Sequence, residues 1–508
     1  MKTVIMAGGR GSRLAELTEN TGNGIPKPMI PIDGKPLLER AVDCLREQGF
    51  TDLILTVGWR RQAIMRYFGD GSGDSPATGR AFGVHISYFE EHTPMGNAGA
   101  LVRLADSLKE DFLLLNGDLV FDVDLNRFLA FHREKGGLAS LLVHPNDHPS
   151  DSGLIETDAE GRVIRWLTRE EERPSCSRNQ VNAGIHLISP RLLDAHRPDA
   201  VDKIPPEPID LDRDLLKPLA GTGQLFAYRS PEYVKDCGTP VRYGEICRDW
   251  RRGLAARRSL RHRQRAVFLD RDGTLNRHVG FLKSPEEIEL LPGAARAVRM
   301  LNRAGWLVIL VTNQPVVARG EVTEDELRAI HGRLETLLGQ NGAWLDDIYY
   351  CPHHTDRGFP GERPELKIEC ACRKPRPGML LQAAGDYSID LEHSWMAGDR
   401  ESDVAAGRAA GCRTALLWNG AEAPRRLPQE SRQSERLPPN CGQTVTCRDL
   451  QDFVLRLLEE TQEENGNEDE KTGKQTGGKS EPAGGTLSDT GPDQGRNSRS
   501  VSSDGGDL

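Results

Sequence analysis

The residues best suited to chemistry sit in the run AVFLDRDGTLN, 266–276, where four apolar residues lead directly into Asp270-Arg271-Asp272-Gly273-Thr274. Such a run reads as a buried strand ending in an acidic loop, and two carboxylates at i and i+2 beyond a strand end can face one pocket. There a cation keeps both ionised and leaves one free to attack phosphorus. The alternative, a solvated Asp-Gly turn, does not account for the polar residues that close three later apolar runs. Thr312-Asn313-Gln314 closes the apolar run 306–311, Cys351 comes after 348–350, and Asp399 to Asp403 come after 394–397. Cys351, His353, Cys370 and Cys372 form two ligand pairs around a polar loop, a Cys₃His set suited to a closed, tetrahedral structural Zn²⁺. Lys374 comes two residues after the last cysteine, so the metal would position it.

A second set of chemical residues lies near the start of the chain. The strand-like run 2–7 enters Gly8-Gly9-Arg10-Gly11-Ser12-Arg13, a loop whose amides can approach phosphate oxygens while Arg13 supplies a charged fork. Lys27 is held between Pro26 and Pro28, which stiffen the backbone around it. Asp118 ends the buried run 112–115 after Asn116-Gly117.

Each set needs a frame that gathers strand ends. Strands are expected at 52–57 and 84–89 and helices at 37–48, 60–68 and 97–108, giving a βαβ rhythm that restarts at Ala266. Helix 293–303 comes next, and Thr323-Glu324-Asp325-Glu326 is a capping box opening another helix. The expected fold is α/β, with two doubly wound Rossmann-like domains in tandem. The boundaries are 1–250, a basic linker at 251–265, a second domain at 266–460 with a zinc loop, and a disordered tail at 461–508. Seven arginines between Arg251 and Arg265 read as the solvated face of a short helical linker. The tail, rich in Gly, Ser and charge and lacking aromatics, cannot bury enough surface to fold.

The formal charge of -10 over 508 residues gives no global basic field, which argues against nucleic acid as a partner. No apolar run is long enough to span a membrane, and the chain starts on a strand and glycine loop instead of a secretory signal. A cytoplasmic protein with mostly reduced cysteines is expected.

The first 245 residues resemble the sugar-1-phosphate nucleotidylyltransferases. The resemblance is carried, in order, by GGRGSRL, PKPM, Pro94-Met95-Gly96-Asn97-Ala98-Gly99, Asn116-Gly117-Asp118, Asn182-Ala183-Gly184-Ile185 and Asp236-Cys237-Gly238-Thr239-Pro240. It implies attack of a sugar phosphate on the α-phosphorus of a nucleoside triphosphate, with GTP favoured by the family. It also implies Mg²⁺ on Asp118 and Asp236, Arg13 and Lys27 on the transferring phosphoryl group, Gly8, Gly9, Gly11, Gly96 and Asn97 against the nucleotide, and Asn182 near the sugar. Asn97 stands where many relatives carry Thr, and Thr168-Arg169-Glu170 replaces a frequent Glu-Lys-Pro.

From Ala266 to Trp418 the motifs DRDGT, TNQ, Arg373-Lys374-Pro375 and GDRESD are similar to the haloacid-dehalogenase-type phosphatases. With CPHH and CxCRKP the likeness narrows to D-glycero-D-manno-heptose-1,7-bisphosphate 7-phosphatases, and less closely to histidinol-phosphate phosphatases. The resemblance implies Asp270 as nucleophile, Asp272 as general acid and base, Thr312 and Lys374 on the phosphoryl oxygens, and Mg²⁺ held by Asp270, the Asp272 carbonyl and Asp399. It makes Asn313, Arg319 and Arg373 substrate contacts and leaves Asp403 to cap or orient. Together the resemblances imply two consecutive steps toward a nucleotide-activated heptose for surface polysaccharide. Two readings stay open beside this one: a mannose- or glucose-1-phosphate transferase fused to another small-molecule phosphatase, and a domain retained only to bind a regulator.

Overall fold

Short apolar runs that are buried on both faces form parallel strands, because helices cover both sides of the sheet. In the computed structural model β1 spans Lys2–Met6, β2 Asp52–Val57, β3 His85–Glu90 and β4 Phe112–Asn116. They lie in the order β4-β1-β2-β3 and are mutually parallel. Alternate residues of β1 face opposite cores, Ile5 one and Val4 the other. The structure describes residues 1–461 except 10, 15–16, 19–23, 76, 94, 150–151, 169, 195–207 and 420–443. The expected disordered tail therefore falls, apart from Thr461, outside the described residues.

Beyond β4 the first sheet turns antiparallel. After β5 (Leu119–Asp122) and β6 (Ala139–His144) come β7 (Leu154–Thr157), β8 (Val163–Leu167) and β9 (Val181–Ile188), and β9 runs against β4, β6 and β7. β10 (Leu225–Arg229) joins β6, and β11 (Tyr233–Asp236) pairs with β5 in a separate ribbon.

The second sheet is parallel throughout. Its strands are β12 (Ala266–Leu269), β13 (Leu307–Asn313), β14 (Asp347–Cys351), β15 (Trp395–Gly398), β16 (Arg413–Leu417) and β17 (Thr444–Cys447), in the order β14-β13-β12-β15-β16-β17. Val267 and Leu269 enter one core, Ala266 and Phe268 the other. Strand order reverses at β12, so the crevice at its carboxyl end is where an open sheet of this kind binds ligands. The helices used below are α1 (Pro240–Arg251), α2 (Ala294–Ala304), α3 (Glu324–Gly339) and α4 (Glu401–Ala410). The expected capping box opens α3: the Thr323 hydroxyl accepts from Glu326 N at 3.1 Å, and the Glu326 carboxylate accepts from Thr323 N at 2.7 Å.

Residues 251–265 are solvated in part: Arg251, Arg252, Arg257 and Arg263 are exposed, while other residues of the segment turn inward. Leu254, Ala255, Arg258, Ser259 and Leu260 are buried. Arg258 donates to Pro231 O at 2.7 Å and pairs with Asp346, while Arg261 pairs with Asp122 at 2.6 Å and Glu47 at 3.1 Å. Arg258 and Arg261 are drawn inward because carboxylates of both halves await them. On α3, the fully buried Glu335 pairs with Arg178 at 3.1 Å and Arg229 at 3.2 Å, both from the first half. Residues Met1–Leu458 accordingly form one compact unit.

Candidate functional site

β12 delivers Asp270 and β13 delivers Thr312 and Asn313 to one side of the second sheet, where Asp399 and Asp403 arrive from β15 and the first turn of α4. Lys374 is buried among them, with Nζ 2.7 Å from Asp270 Oδ1, 2.7 Å from Asp403 Oδ1 and 2.8 Å from Val311 O. Burial alone would lower the Lys374 pKa, but the two carboxylates outweigh it and raise it, so the ammonium persists. The close approach depends on Gly273, whose φ is +84°: an added Cβ would sit 2.2 Å from Asp399 Oδ2.

Asp272 lies in a cradle of donors. Arg271, itself fully buried, forks onto both carboxylate oxygens at 3.2 and 2.8 Å, Asn276 Nδ2 donates at 3.0 Å and Gln314 Nε2 at 3.0 Å. Burial would raise the Asp272 pKa; Arg271 with these bonds brings it below the usual carboxylate value. The same Gln314 amide reaches Thr312 Oγ1 at 2.9 Å, and the free corner of Arg271 meets His331 Nε2 on α3 at 3.4 Å.

Asp270, Asp399 and Asp403 each turn an oxygen toward a common point. Burial, Asp270 and Asp403 push the Asp399 pKa up to about 7, and its buried Oδ1 has no hydrogen-bond partner. Like charges gathered around an unsatisfied oxygen fit a hard divalent cation with oxygen ligands.

Asn313 does something the sequence did not disclose. Its amide clasps the Lys374 backbone, accepting from Lys374 N at 3.0 Å and donating to Lys374 O at 3.0 Å. Arg373 donates to His353 O at 3.1 Å, and the Arg319 guanidinium lies between the rings of Phe281 and Phe359, 4.1 and 4.5 Å from their centroids. Just upstream, the Cys351, Cys370 and Cys372 sulfurs are 3.2–3.5 Å apart, and His353 Nδ1 is 3.6 Å from Cys351 and 3.4 Å from Cys372. Tetrahedral Zn–S bonds of about 2.3 Å separate sulfurs by roughly 3.8 Å, so these donors fit that ion with little adjustment.

In the first half, Lys27 pairs with Asp118, and Arg242 of α1 pairs with Asp236. β5 and β11 bring the two acids together: Leu119 faces Asp236, and Cys237 N donates to Asp118 O at 2.8 Å. Gly11 lies against Lys27, and Gly238 lies between Asp236 and Arg13. The two carboxylates thus flank one strand pair, each answered by a cationic side chain. Gly96 abuts Ile209, and Asn97 Oδ1 accepts from Leu211 N at 2.6 Å. Asn182 Oδ1 accepts from Gly184 N at 3.1 Å and meets His186 Nε2 at 3.1 Å, while its Nδ2 faces Asp212 at 3.4 Å.

Asp403, expected to cap or orient, accepts from Arg400 N at 3.1 Å and pairs with Lys374. One further acid is not evident from the sequence. Glu91 comes directly after β3 and sets its carboxylate beside Gly8 of the glycine loop, with its pKa raised by burial. The available signal is an acid immediately beyond the end of a strand.

The family described as Nucleotidyl transferase matches residues 2–249, and the one described as HAD-hydrolase-like matches residues 371–444. The D-glycero-beta-D-manno-heptose-1,7-bisphosphate 7-phosphatase of Rhodopseudomonas palustris is 42% identical over 149 residues, covering 29% of this chain and 81% of that protein. The Arabidopsis thaliana protein named "Probable mannose-1-phosphate guanylyltransferase 2" is 30% identical over 249 residues, covering 48% of this chain and 63% of that protein. A crystal structure of D,D-heptose 1,7-bisphosphate phosphatase from B. bronchiseptica complexed with magnesium and phosphate is 36% identical, covers 39% of this chain and 99% of that one, and has a TM-score of 0.32.

The chain is thus an enzyme that joins a nucleotidyl transferase domain to a haloacid-dehalogenase-like phosphatase domain. Through its second half it belongs to the family of the D-glycero-D-manno-heptose-1,7-bisphosphate 7-phosphatases. Among the described residues no helix is long and apolar enough to cross a membrane.

Proposed function

We propose that the chain removes the 7-phosphate of D-glycero-D-manno-heptose 1,7-bisphosphate and transfers GMP from GTP to the resulting 1-phosphate. The observation that carries the first step is the Asp270–Lys374–Asp403 cluster beside Asp399 at the strand-order reversal. An Asp270 oxygen attacks phosphorus, the bond from phosphorus to the sugar oxygen breaks, and that oxygen takes a proton that reaches it through Asp272, a carboxylate which the Arg271 fork keeps ionised between transfers. Asp272 then withdraws a proton from water, which attacks the aspartyl-phosphate, releasing inorganic phosphate and restoring Asp270. Lys374 and Thr312 hold the phosphoryl oxygens, with Asn313 fixing the lysine. Mg²⁺ on Asp270, Asp399 and the Asp272 carbonyl would neutralise repulsion between nucleophile and phosphate. Zn²⁺ on Cys351, His353, Cys370 and Cys372 would pin the loop that carries Arg373 and Lys374.

In the first half, an oxygen of the sugar 1-phosphate attacks the α-phosphorus of the nucleotide and pyrophosphate leaves. Arg13 and Lys27 stabilise the transferring charge, and Asp118 and Asp236 would hold Mg²⁺. Gly8, Gly9 and Gly11 let the backbone approach the phosphates. The product of the first step is the acceptor of the second, and this pairing favours the coupled reading over two unrelated activities.

The test is to incubate the protein with the bisphosphate and each nucleoside triphosphate in turn and identify products by mass. Phosphate release with GDP-heptose formation is expected. Phosphate release with no nucleotide sugar from any triphosphate would refute the coupling.

A further inference from the structure

One stretch of the chain gathers cations that have no carboxylate partner among the described residues. A cleft of about 320 Å³ is walled by Arg257, His262, Arg263, Arg265, Gly305 and Trp306, where the junction between the halves passes the end of α2. Among the described residues Arg257, Arg263 and Arg265 make no ion pair, although their neighbours Arg258 and Arg261 are both paired. No carboxylate lines the cleft. Arg265 stacks 5.1 Å above the Trp306 ring, so one guanidinium is held in place by an aromatic wall. Like charges brought together without a counter-charge repel one another, and an anion relieves that cost.

The arrangement is not forced by the chain's need to cross between domains. The paired Arg258 and Arg261, with the buried Leu254 and Leu260, already anchor the segment, and the three unpaired arginines are free of that duty. Guanidinium forks match phosphate oxygens in geometry as well as in charge. A volume near 320 Å³ lies at the lower end of small-molecule sites and exceeds what one phosphate group fills.

We propose that this cleft is a binding site, separate from both catalytic crevices, for a small molecule that carries a diphosphate. Two sources share that chemistry, free pyrophosphate and a nucleoside diphosphate group. The guanidinium forks take the phosphate oxygens, and the remaining volume accommodates whatever the diphosphate bears.

Calorimetric titration of the full chain, in metal-free buffer, with pyrophosphate and separately with GDP tests this. Three proteins are compared: wild type, Arg257→Ser with Arg263→Ser, and Arg257→Lys with Arg263→Lys. Both positions are exposed, and neither touches a catalytic crevice, so basal rates are expected to be unchanged. Anion binding at the catalytic crevices is common to all three proteins. The expected result is one additional site in the wild type, weakened about tenfold or more for each guanidinium removed in the serine variant and partly retained with lysine. Equal affinity for the two ligands identifies the diphosphate alone as the determinant, and preference for GDP adds its nucleoside. Identical site numbers and affinities in wild type and serine variant would overturn the proposal, as would binding of neither ligand beyond the catalytic crevices.

Discussion

At the scale of single residues, the phosphatase crevice is a balance of charges around Lys374. Its ammonium answers Asp270 and Asp403, leaving Asp399 with a buried oxygen that has neither a hydrogen bond nor an ion pair among the described residues. Replacing Asp270 by Asn removes the nucleophile while keeping the shape. Phosphate release is expected to fall by at least about 10³, with nucleotidyl transfer unchanged, as read by separate phosphate and pyrophosphate assays. Loss of both activities would contradict two independent sites. Asp403→Asn leaves Lys374 with one carboxylate partner, and a drop of about 10² in phosphatase kcat is expected. The carboxylates were legible in the sequence because strand-end acids in these motifs have few other uses. The roles of Asn97 and Asn313 were not, since an amide serves a ligand or a backbone equally well, and only the fold shows that each bonds the main chain. Asp403 both caps and orients: capping a helix and pairing with a lysine occupy different oxygens of one carboxylate.

At the scale of elements, the junction segment was the part least readable in advance. Two of its arginines look solvated because their partners lie far away in sequence, Asp346 88 residues off from Arg258 and Asp122 139 residues off from Arg261. The strands were readable, being apolar runs whose alternate residues feed two cores. Beside the junction, Glu232 accepts from Leu260 N at 2.7 Å and from Asp124 N at 2.8 Å, yet burial pushes its pKa from 4.5 up to about 7. Between those values the folded chain holds a proton that the unfolded chain has lost, so Glu232's contribution to stability is present below about pH 4.5 and fades as pH rises to 7. The loss is about 3 kcal/mol. Glu232→Gln is expected to flatten this part of the stability-versus-pH curve in urea melts; an unaltered slope would show the residue is not its source. The zinc loop makes a second prediction. Purified protein should hold one zinc ion per chain by elemental analysis, and stripping it with a chelator should abolish phosphate release before nucleotidyl transfer declines.

At the scale of the whole molecule, the two halves share buried charges. Removing one partner of a buried ion pair costs about 3–5 kcal/mol, because the remaining charge stays out of water. Glu335→Ala strips the Arg229 guanidinium of its carboxylate on α3 and is expected to destabilise the chain by that order. Scanning calorimetry of the wild type should show both halves unfolding in one transition, and two well-separated transitions would mean the ion pairs do not bind the halves into one cooperative unit.

α3 has a second face. His331 supports Arg271, which grips Asp272, while Glu335, one turn further along the same helix, is neutralised by arginines of the other half. A gene cut at the junction would therefore not yield two self-sufficient enzymes. The liberated phosphatase would carry a naked Glu335 and Asp347 on its flank, the transferase an exposed pair of arginines, Arg178 and Arg229. Restoring the smaller enzyme to solitary life would call for neutral residues at 335 and 347, which makes the transferase half a permanent counter-ion for its neighbour.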